Sequence, residues 1–254
     1  MVEGTQLHWA ELGERNGAPP LLLLHGLYDS HRTWKLVAGH LAADRLVLMP
    51  DLPGHGLSDR PDASYAVEWY GRMIVGLVAC LGLGVLDVLG HSFGGAVAQM
   101  QLLRAPWSTR RLVLAASGAL PFLGLGAHLA LRGQEGLTRE HCEELARMNA
   151  AEGTARAFSR TLGQLSEGRR HPRAGFLARV GELPAIPEIA VLWGTRDKVV
   201  PIAHGRALSA ALVGADFLPF EGCGHHVHHE QPEAFASAVL AYLDSPSPSL
   251  ARAS

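Results

Sequence analysis

A serine flanked by glycines is the residue of this chain whose setting most clearly predicts chemistry. Ser92 lies in the sequence Gly-His-Ser-Phe-Gly (90–94), between an apolar run at 85–89 and a helix-like stretch at 96–103. The pattern predicts a strand, a sharp turn and a helix, with glycines where a Cβ would collide with a neighbouring element. Such a turn pushes the Ser92 hydroxyl out of the sheet and directs the N–H groups of the helix N-terminus toward it.

A serine hydroxyl needs a base, an acid that orients the base, and donors for an oxyanion before it can act as a nucleophile. His225, in the loop after a predicted strand at 217–220, is the candidate base, since an ordinary imidazole exchanges protons near neutral pH. Asp197 follows a predicted strand at 189–193 and is the candidate acid. Taken alone, Asp197 could equally be a loop aspartate that caps the next helix.

Two backbone N–H groups are predicted to form the oxyanion hole. One belongs to Phe93, the residue after the nucleophile, and the other to Leu27, which follows a short apolar strand and Gly26. Gly26 lets the chain turn closely at this point, and the neighbouring His25 is expected to form structural hydrogen bonds more than to act as a catalyst.

Short apolar runs alternate with helical patterns along most of the chain, which predicts an α/β fold with a mostly parallel sheet covered by helices on both faces. The predicted strands are 21–24, 45–49, 85–89, 112–116, 189–193 and 217–220, with an antiparallel edge hairpin at 5–11; the predicted helices are 34–43, 67–81, 95–104, 203–213 and 232–243.

The alternation stops between about residues 120 and 187, where only helical patterns such as 138–151 and 154–165 occur. We predict that residues 119–187 are a helical lid over the C-terminal edge of the sheet, although peripheral helices without substrate contact are the alternative. Residues 1–118 and 188–244 would then form the core domain, and 245–254 a disordered tail.

Composition excludes several classes of function. A net charge of −2 over 254 residues gives no electrostatic basis for binding nucleic acid or anionic membranes. The apolar runs are far shorter than a membrane span, and neither a signal peptide nor a disulfide framework is visible, so a cytoplasmic protein is expected. The histidine-rich run at 225–229 is not expected to hold a metal, because four histidines of one loop do not readily converge on one ion.

The motifs together resemble the α/β-hydrolase superfamily, in its serine-nucleophile, esterase-like branch. The matching segments are 23–26, 51–59, 90–95, 193–197 with 200–201, and 224–225 with His228, Glu230 and Pro232. This resemblance implies an eight-stranded, mostly parallel sheet, a Ser92–Asp197–His225 triad and hydrolysis without a cofactor. Trp34 stands where many small-molecule esterases of the superfamily carry an aromatic residue.

Five residues are predicted to bind a small-molecule substrate, on the basis of their positions near these motifs. They are His25, Gly26, Trp34, Phe122 and Trp193. For Phe122, packing of the insertion onto the core is the simpler alternative to lining an acyl pocket.

Departures from related patterns narrow the expected reaction. A serine at position 92 argues against the haloalkane dehalogenase and epoxide hydrolase branches, and the sequence after Gly26 argues against proline iminopeptidases. The Ser-Gly-x-Gly-Pro-Gly stretch of meta-cleavage carbon–carbon hydrolases is also missing. We therefore expect hydrolysis of a small carboxylic ester or thioester through an acyl-enzyme. Carbon–carbon cleavage, lactone opening, acyl transfer or cyclisation by the same triad stay open, as does a non-catalytic binding protein on this fold.

Overall fold

The computed structural model describes residues 1–117, 136–167 and 175–246. Their sheet has seven strands in the order β1-β3-β2-β4-β5-β6-β7, and every neighbouring pair is parallel except β1 with β3. The strands are β1 (Trp9–Leu12), β2 (Leu21–Leu24), β3 (Val47–Pro50), β4 (Leu86–His91), β5 (Thr109–Ala115), β6 (Glu188–Gly194) and β7 (Asp216–Phe220).

The number and pairing of the strands differ from expectation at one edge. β1 is antiparallel as predicted, but it pairs with the distant β3 and forms no hairpin with its neighbour in sequence. The sheet contains seven strands within the described residues, where the superfamily resemblance implied eight. Before β1, Val2 and Thr5 bridge to each other across a tight turn, so this segment does not extend the sheet.

Helices cover both faces of the sheet, as the fully buried strands β2, β3 and β4 require. The helices are α1 (Ala38–Leu41), α2 (Val67–Cys80), α3 (Phe93–Arg104), α4 (Arg139–Asn149), α5 (Thr154–Glu167), α6 (Phe176–Arg179), α7 (Ile202–Ala211), α8 (Val227–Glu230) and α9 (Pro232–Asp244). One apolar core lies under α2, α3 and α7, and a second lies under α1 and α9. β2 is buried along its whole length between them, because its four leucines alternate between the two cores.

In the described part of the segment between β5 and β6, the regular secondary structure is helical. Thr138 caps α4 by accepting a hydrogen bond from the His141 N–H at 3.2 Å. Among the described residues, no helix combines the length and apolarity needed to cross a membrane.

Candidate active site

The turn that carries Ser92 is a single residue between β4 and α3. Ser92 has φ 52° and ψ −116°, a backbone conformation that residues other than glycine rarely adopt. The surrounding glycines allow this turn, since a Cβ on Gly94 would lie 2.1 Å from the Leu24 carbonyl oxygen. A Cβ on Gly90 would lie 2.4 Å from the Gly94 oxygen. Close backbone approach is therefore the physical reason for the glycines on either side of the serine.

Asp197 and His225 come together at the C-terminal ends of β6 and β7. His225 Nδ1 lies 2.8 Å from Asp197 Oδ2, and both side chains are buried. Asp197 Oδ1 accepts the backbone N–H groups of Val199 and Val200, each at 2.8 Å. Because an ionised carboxylate carries no proton, the imidazole must donate from Nδ1, which leaves Nε2 of the neutral ring as the atom able to accept a proton.

Ser92 and His225 line one cavity of about 470 Å³, together with Gly26 and Leu27. The opposite wall comes from the segment between β5 and β6. The other lining residues are Tyr28, Asp29, His91, Leu137, Cys142, Leu145, Ala146, Asn149, Thr154, Ala155 and Phe158. A cavity of this size suits a small organic molecule.

The loop after β2 runs beside Ser92, the predicted nucleophile. A Cβ on Gly26 would lie 3.3 Å from His91 Nδ1 and 3.4 Å from Ser92 Cβ, so the loop passes close to Ser92 and leaves little room for a large side chain. Phe93 directs its ring into the core against Tyr70, with ring centroids 5.0 Å apart. Its N–H is in the first turn of α3 and has no acceptor within the helix.

His91, to which the sequence analysis assigned no role, connects the turn of Ser92 to the loop of His225. Its Nε2 lies 3.0 Å from the His225 carbonyl oxygen, so this nitrogen carries the proton and donates it. Burial holds the pKa of His91 well below its usual value, and the ring is therefore neutral. On the other side, the Gly224 N–H donates to Glu230 at 2.8 Å and fixes the start of the same loop.

Contacts between α4 and the loop after β2 hold the two walls of the cavity together. His141 Nε2 lies 3.1 Å from Asp29 Oδ1, and the Asn149 side-chain amide donates to the Tyr28 carbonyl at 2.9 Å. Burial alone would raise the pKa of Asp29. The hydrogen bond with His141 and the charge of His141 outweigh burial and hold the pKa of Asp29 below the usual value. The cavity wall therefore carries an ionised carboxylate.

Three predicted substrate-binding residues lie in the core and not in the cavity wall. His25 is fully buried, donates from Nδ1 to the Gly26 carbonyl at 2.8 Å and accepts the Leu52 N–H at 2.9 Å. Trp34 packs against His228. Trp193 donates from Nε1 to the Val200 carbonyl at 2.8 Å. These interactions use the polar atoms of His25 and Trp193 internally, so neither residue is available to a ligand.

Of the two remaining predictions, Gly26 lines the cavity and Phe122 lies outside the described residues. Sequence reasoning missed Asp29, Asn149 and Phe158. Asp29 was within reach, since it follows the predicted oxyanion residue by two positions. Asn149 and Phe158 lie on helices whose orientation no spacing in the sequence reveals.

The histidines at positions 225, 228 and 229 face two different partners. His228 and His229 each direct Nε2 at the Thr33 hydroxyl, at 2.9 and 3.1 Å, whereas His225 faces Asp197. Burial lowers the pKa of His229 to about 4, so it is neutral at pH 7. These histidines fasten the loop of His225 to the short helical turn at His31–Trp34.

Comparisons with known proteins assign the chain to a family. The model of the alpha/beta hydrolase family matches residues 21–238. An uncharacterised protein of Mycobacterium tuberculosis is 31% identical over 91% of this chain and 76% of its own. A 2-hydroxymuconate semialdehyde hydrolase of Pseudomonas sp. (strain CF600) is 29% identical, covering 88% of this chain and 86% of the relative. The crystal structure of the enol-lactonase from Burkholderia xenovorans LB400 superposes with a TM-score of 0.78 at 23% identity, over 96% and 98% of the two chains.

The chain therefore belongs to the alpha/beta hydrolase family, and it is an enzyme. The missing Ser-Gly-x-Gly-Pro-Gly stretch disfavoured the branch of meta-cleavage carbon–carbon hydrolases. A 2-hydroxymuconate semialdehyde hydrolase is nevertheless among the relatives. The family alone thus leaves the reaction open.

Proposed function

We propose that this enzyme hydrolyses a small carboxylic ester or thioester through an acyl-enzyme on Ser92. The observation that carries the proposal is the 2.8 Å pair of His225 Nδ1 and Asp197 Oδ2, at a cavity that Ser92 also lines. An oriented base and a serine that line the same cavity are the minimum that acyl transfer to serine requires.

Each residue has a defined role in this mechanism. His225 Nε2 takes the proton of Ser92 as the hydroxyl attacks the carbonyl carbon, and Asp197 stabilises the imidazolium that forms. The N–H groups of Phe93 and Leu27 bind the oxyanion. His225 then gives the proton to the leaving alcohol or thiol. In the second half, His225 activates a water molecule that releases the acid from Ser92.

The cavity wall favours a substrate without negative charge. Most of its described lining is apolar, including Leu145 and Phe158, and it contains no lysine or arginine among the residues that the structure describes. Asp29 contributes a buried carboxylate that already pairs with His141, so this pair adds no free positive charge that could bind a substrate carboxylate. These features support neutral acyl groups, with the segment between β5 and β6 acting as the proposed lid over them.

A second reaction, hydrolysis of a carbon–carbon bond or opening of a lactone, uses the same triad. Its support comes from the relative that is a 2-hydroxymuconate semialdehyde hydrolase and from the fold shared with an enol-lactonase. The absence of lysine and arginine from the described cavity wall argues against a muconate-like acid as substrate. Product analysis separates the cases, since ester hydrolysis yields an acid and an alcohol, and carbon–carbon hydrolysis yields an acid and a shortened ketone or enol.

The first test is release of p-nitrophenol from esters of increasing acyl length by the wild type and by Ser92→Ala. We expect turnover to fall on the order of 10⁶-fold in the variant, with an unchanged circular dichroism spectrum. A fluorophosphonate probe should label the wild type and not the variant. A folded Ser92→Ala protein that keeps most of the activity would refute the proposed nucleophile. Labelling without ester turnover would leave Ser92 as nucleophile and favour the second reaction.

A further inference from the structure

A second cluster of chemically active side chains lies apart from the candidate active site. His8 directs Nδ1 at Asp51 Oδ2 at 3.0 Å, and His31 directs Nδ1 at the same oxygen at 3.1 Å. The two imidazole rings lie 4.8 Å apart between centroids. The three residues are separated by 20 or more positions in sequence and meet only in the folded chain.

The spacing of these atoms matches the ligand set of a small divalent ion. One nitrogen from each histidine and one oxygen of Asp51 all lie within 4.8 Å of one another. For metal–ligand bonds of about 2.0–2.1 Å, neighbouring ligands of a tetrahedral ion are about 3.3 Å apart. The two nitrogen–oxygen separations are a few tenths of an ångström shorter than this, so modest side-chain rotation admits the ion.

The carboxylate is held in place without help from either imidazole. Asp51 accepts the Leu57 N–H at 2.9 Å and the His31 N–H at 2.7 Å, and its side chain is fully buried. Two backbone N–H groups therefore anchor the Asp51 carboxylate, and neither imidazole is needed to hold it in place.

Water can reach the cluster from the side of the histidines. The His8 side chain is 34% exposed and that of His31 is 13% exposed. An ion bound there would keep at least one position for water. A neutral imidazole that binds the metal through Nδ1 carries its proton on Nε2 instead. Metal binding therefore releases no proton from a neutral ring.

We propose that His8, His31 and Asp51 form a binding site for a divalent transition-metal ion of the zinc type, and that this site is structural. His8 directly precedes β1, and His31 begins the helical turn that follows the loop of the predicted oxyanion hole. A bound ion would tie the edge strand to this loop. The proposal does not depend on the reaction assigned to Ser92.

The test is binding of zinc to EDTA-treated, dialysed full-length protein by isothermal titration calorimetry, compared with His8→Gln and His31→Gln. His40→Gln is the matched control, because His40 is an exposed histidine on α1. We expect one zinc ion per chain, and an affinity at least about a hundredfold lower in either variant, since even partners of metal ligands contribute 10–100-fold. The control should bind as the wild type does.

A second readout reports coordination directly. Cobalt(II) in place of zinc should give visible absorption bands of a tetrahedral site in the wild type and His40→Gln, and none in His8→Gln. Zinc at 100 times its Kd should also raise the wild-type Tm by about 5–10 °C. Absence of stoichiometric binding to the wild type would overturn the proposal. Unchanged binding in His8→Gln would do the same, and this variant decides alone if His31→Gln fails to fold.

Discussion

Replacement of Asp197 by asparagine tests whether the Asp197 carboxylate orients the His225 ring in the proposed triad. The two oxygens of this side chain have different partners, because Oδ1 accepts the Val199 and Val200 N–H groups and Oδ2 faces His225 Nδ1. In Asp197→Asn, the amide oxygen keeps the two backbone donors, and the amide NH₂ group then faces Nδ1 of His225. The imidazole must accept from this group, so its proton moves to Nε2 and the ring cannot take the proton of Ser92.

The size of the loss follows from the cost of the opposite amide orientation. Turning the amide restores an acceptor for His225 Nδ1 but leaves the N–H groups of Val199 and Val200 facing an NH₂ group. Two buried donors without an acceptor cost about 1–3 kcal/mol each, or roughly 2–6 kcal/mol together. At about 1.36 kcal/mol per tenfold, the active orientation is populated about 30-fold to 2.5 × 10⁴-fold less than in the wild type. We expect kcat to fall within this range.

The assay is steady-state hydrolysis of a p-nitrophenyl ester, with urea unfolding to show that the variant is folded. Asp216→Asn is the matched control, since this residue is exposed at the start of β7, and its activity should be unchanged. A folded Asp197→Asn enzyme with less than a tenfold loss would mean that Asp197 does not set the tautomer of His225.

Three further predictions concern stability and specificity. Gly94→Ala would bring a Cβ to 2.1 Å from the Leu24 carbonyl oxygen and should destabilise the fold by about 3 kcal/mol or more in urea unfolding. Gly163→Ala, on α5 with open space around it, should instead stabilise by about 0.5–1 kcal/mol, and equal effects at the two glycines would contradict the packing argument. His229 has a folded pKa of about 4, so the unfolded chain binds the proton first as pH falls, and stability is lost from about pH 6.5 downward. Between pH 7 and pH 5, the wild type should lose about 2 kcal/mol more than His229→Gln, whereas parallel pH profiles would show that His229 is not the group responsible. An ester whose acyl chain ends in a carboxylate should be cleaved more slowly than its neutral isostere, and Asp29→Asn should narrow that ratio; an unchanged ratio would remove Asp29 from substrate selection.

Local sequence patterns were sufficient for most of the secondary structure. β2 was predicted with its observed bounds of Leu21–Leu24, and α2 was predicted to within one residue of Val67–Cys80. Both have strong signals, an all-apolar run for a buried strand and a 3.6-residue apolar period for a helix on the sheet. The predicted helix at 34–43 was too long, because the structure has a helical turn at His31–Trp34 and a separate short α1.

Local patterns did not predict the strand pairing at the edge of the sheet or the residues of the cavity wall. β1 pairs with residues about 40 positions away, and no local signal specifies that partner. Trp34 and Trp193 were expected at the substrate, but large aromatic side chains bury the most surface when they enter the core, and both do so. The division of the chain at residues 119 and 187, and the role of this segment as a lid, remain predictions.

The sequence by itself determined the fold family and the three residues proposed for catalysis, because a serine turn between glycines, a loop aspartate and a loop histidine follow short strands whose carboxyl ends share one edge. Only the tertiary structure decided what surrounds them. It brought Asp29 and Asn149 into the wall of the cavity, and it placed His8 and His31 beside one carboxylate oxygen of Asp51. The physical reason is that strand order and helix packing, which set contacts between distant residues, depend on burial summed over the whole chain and leave no short-range spacing to detect.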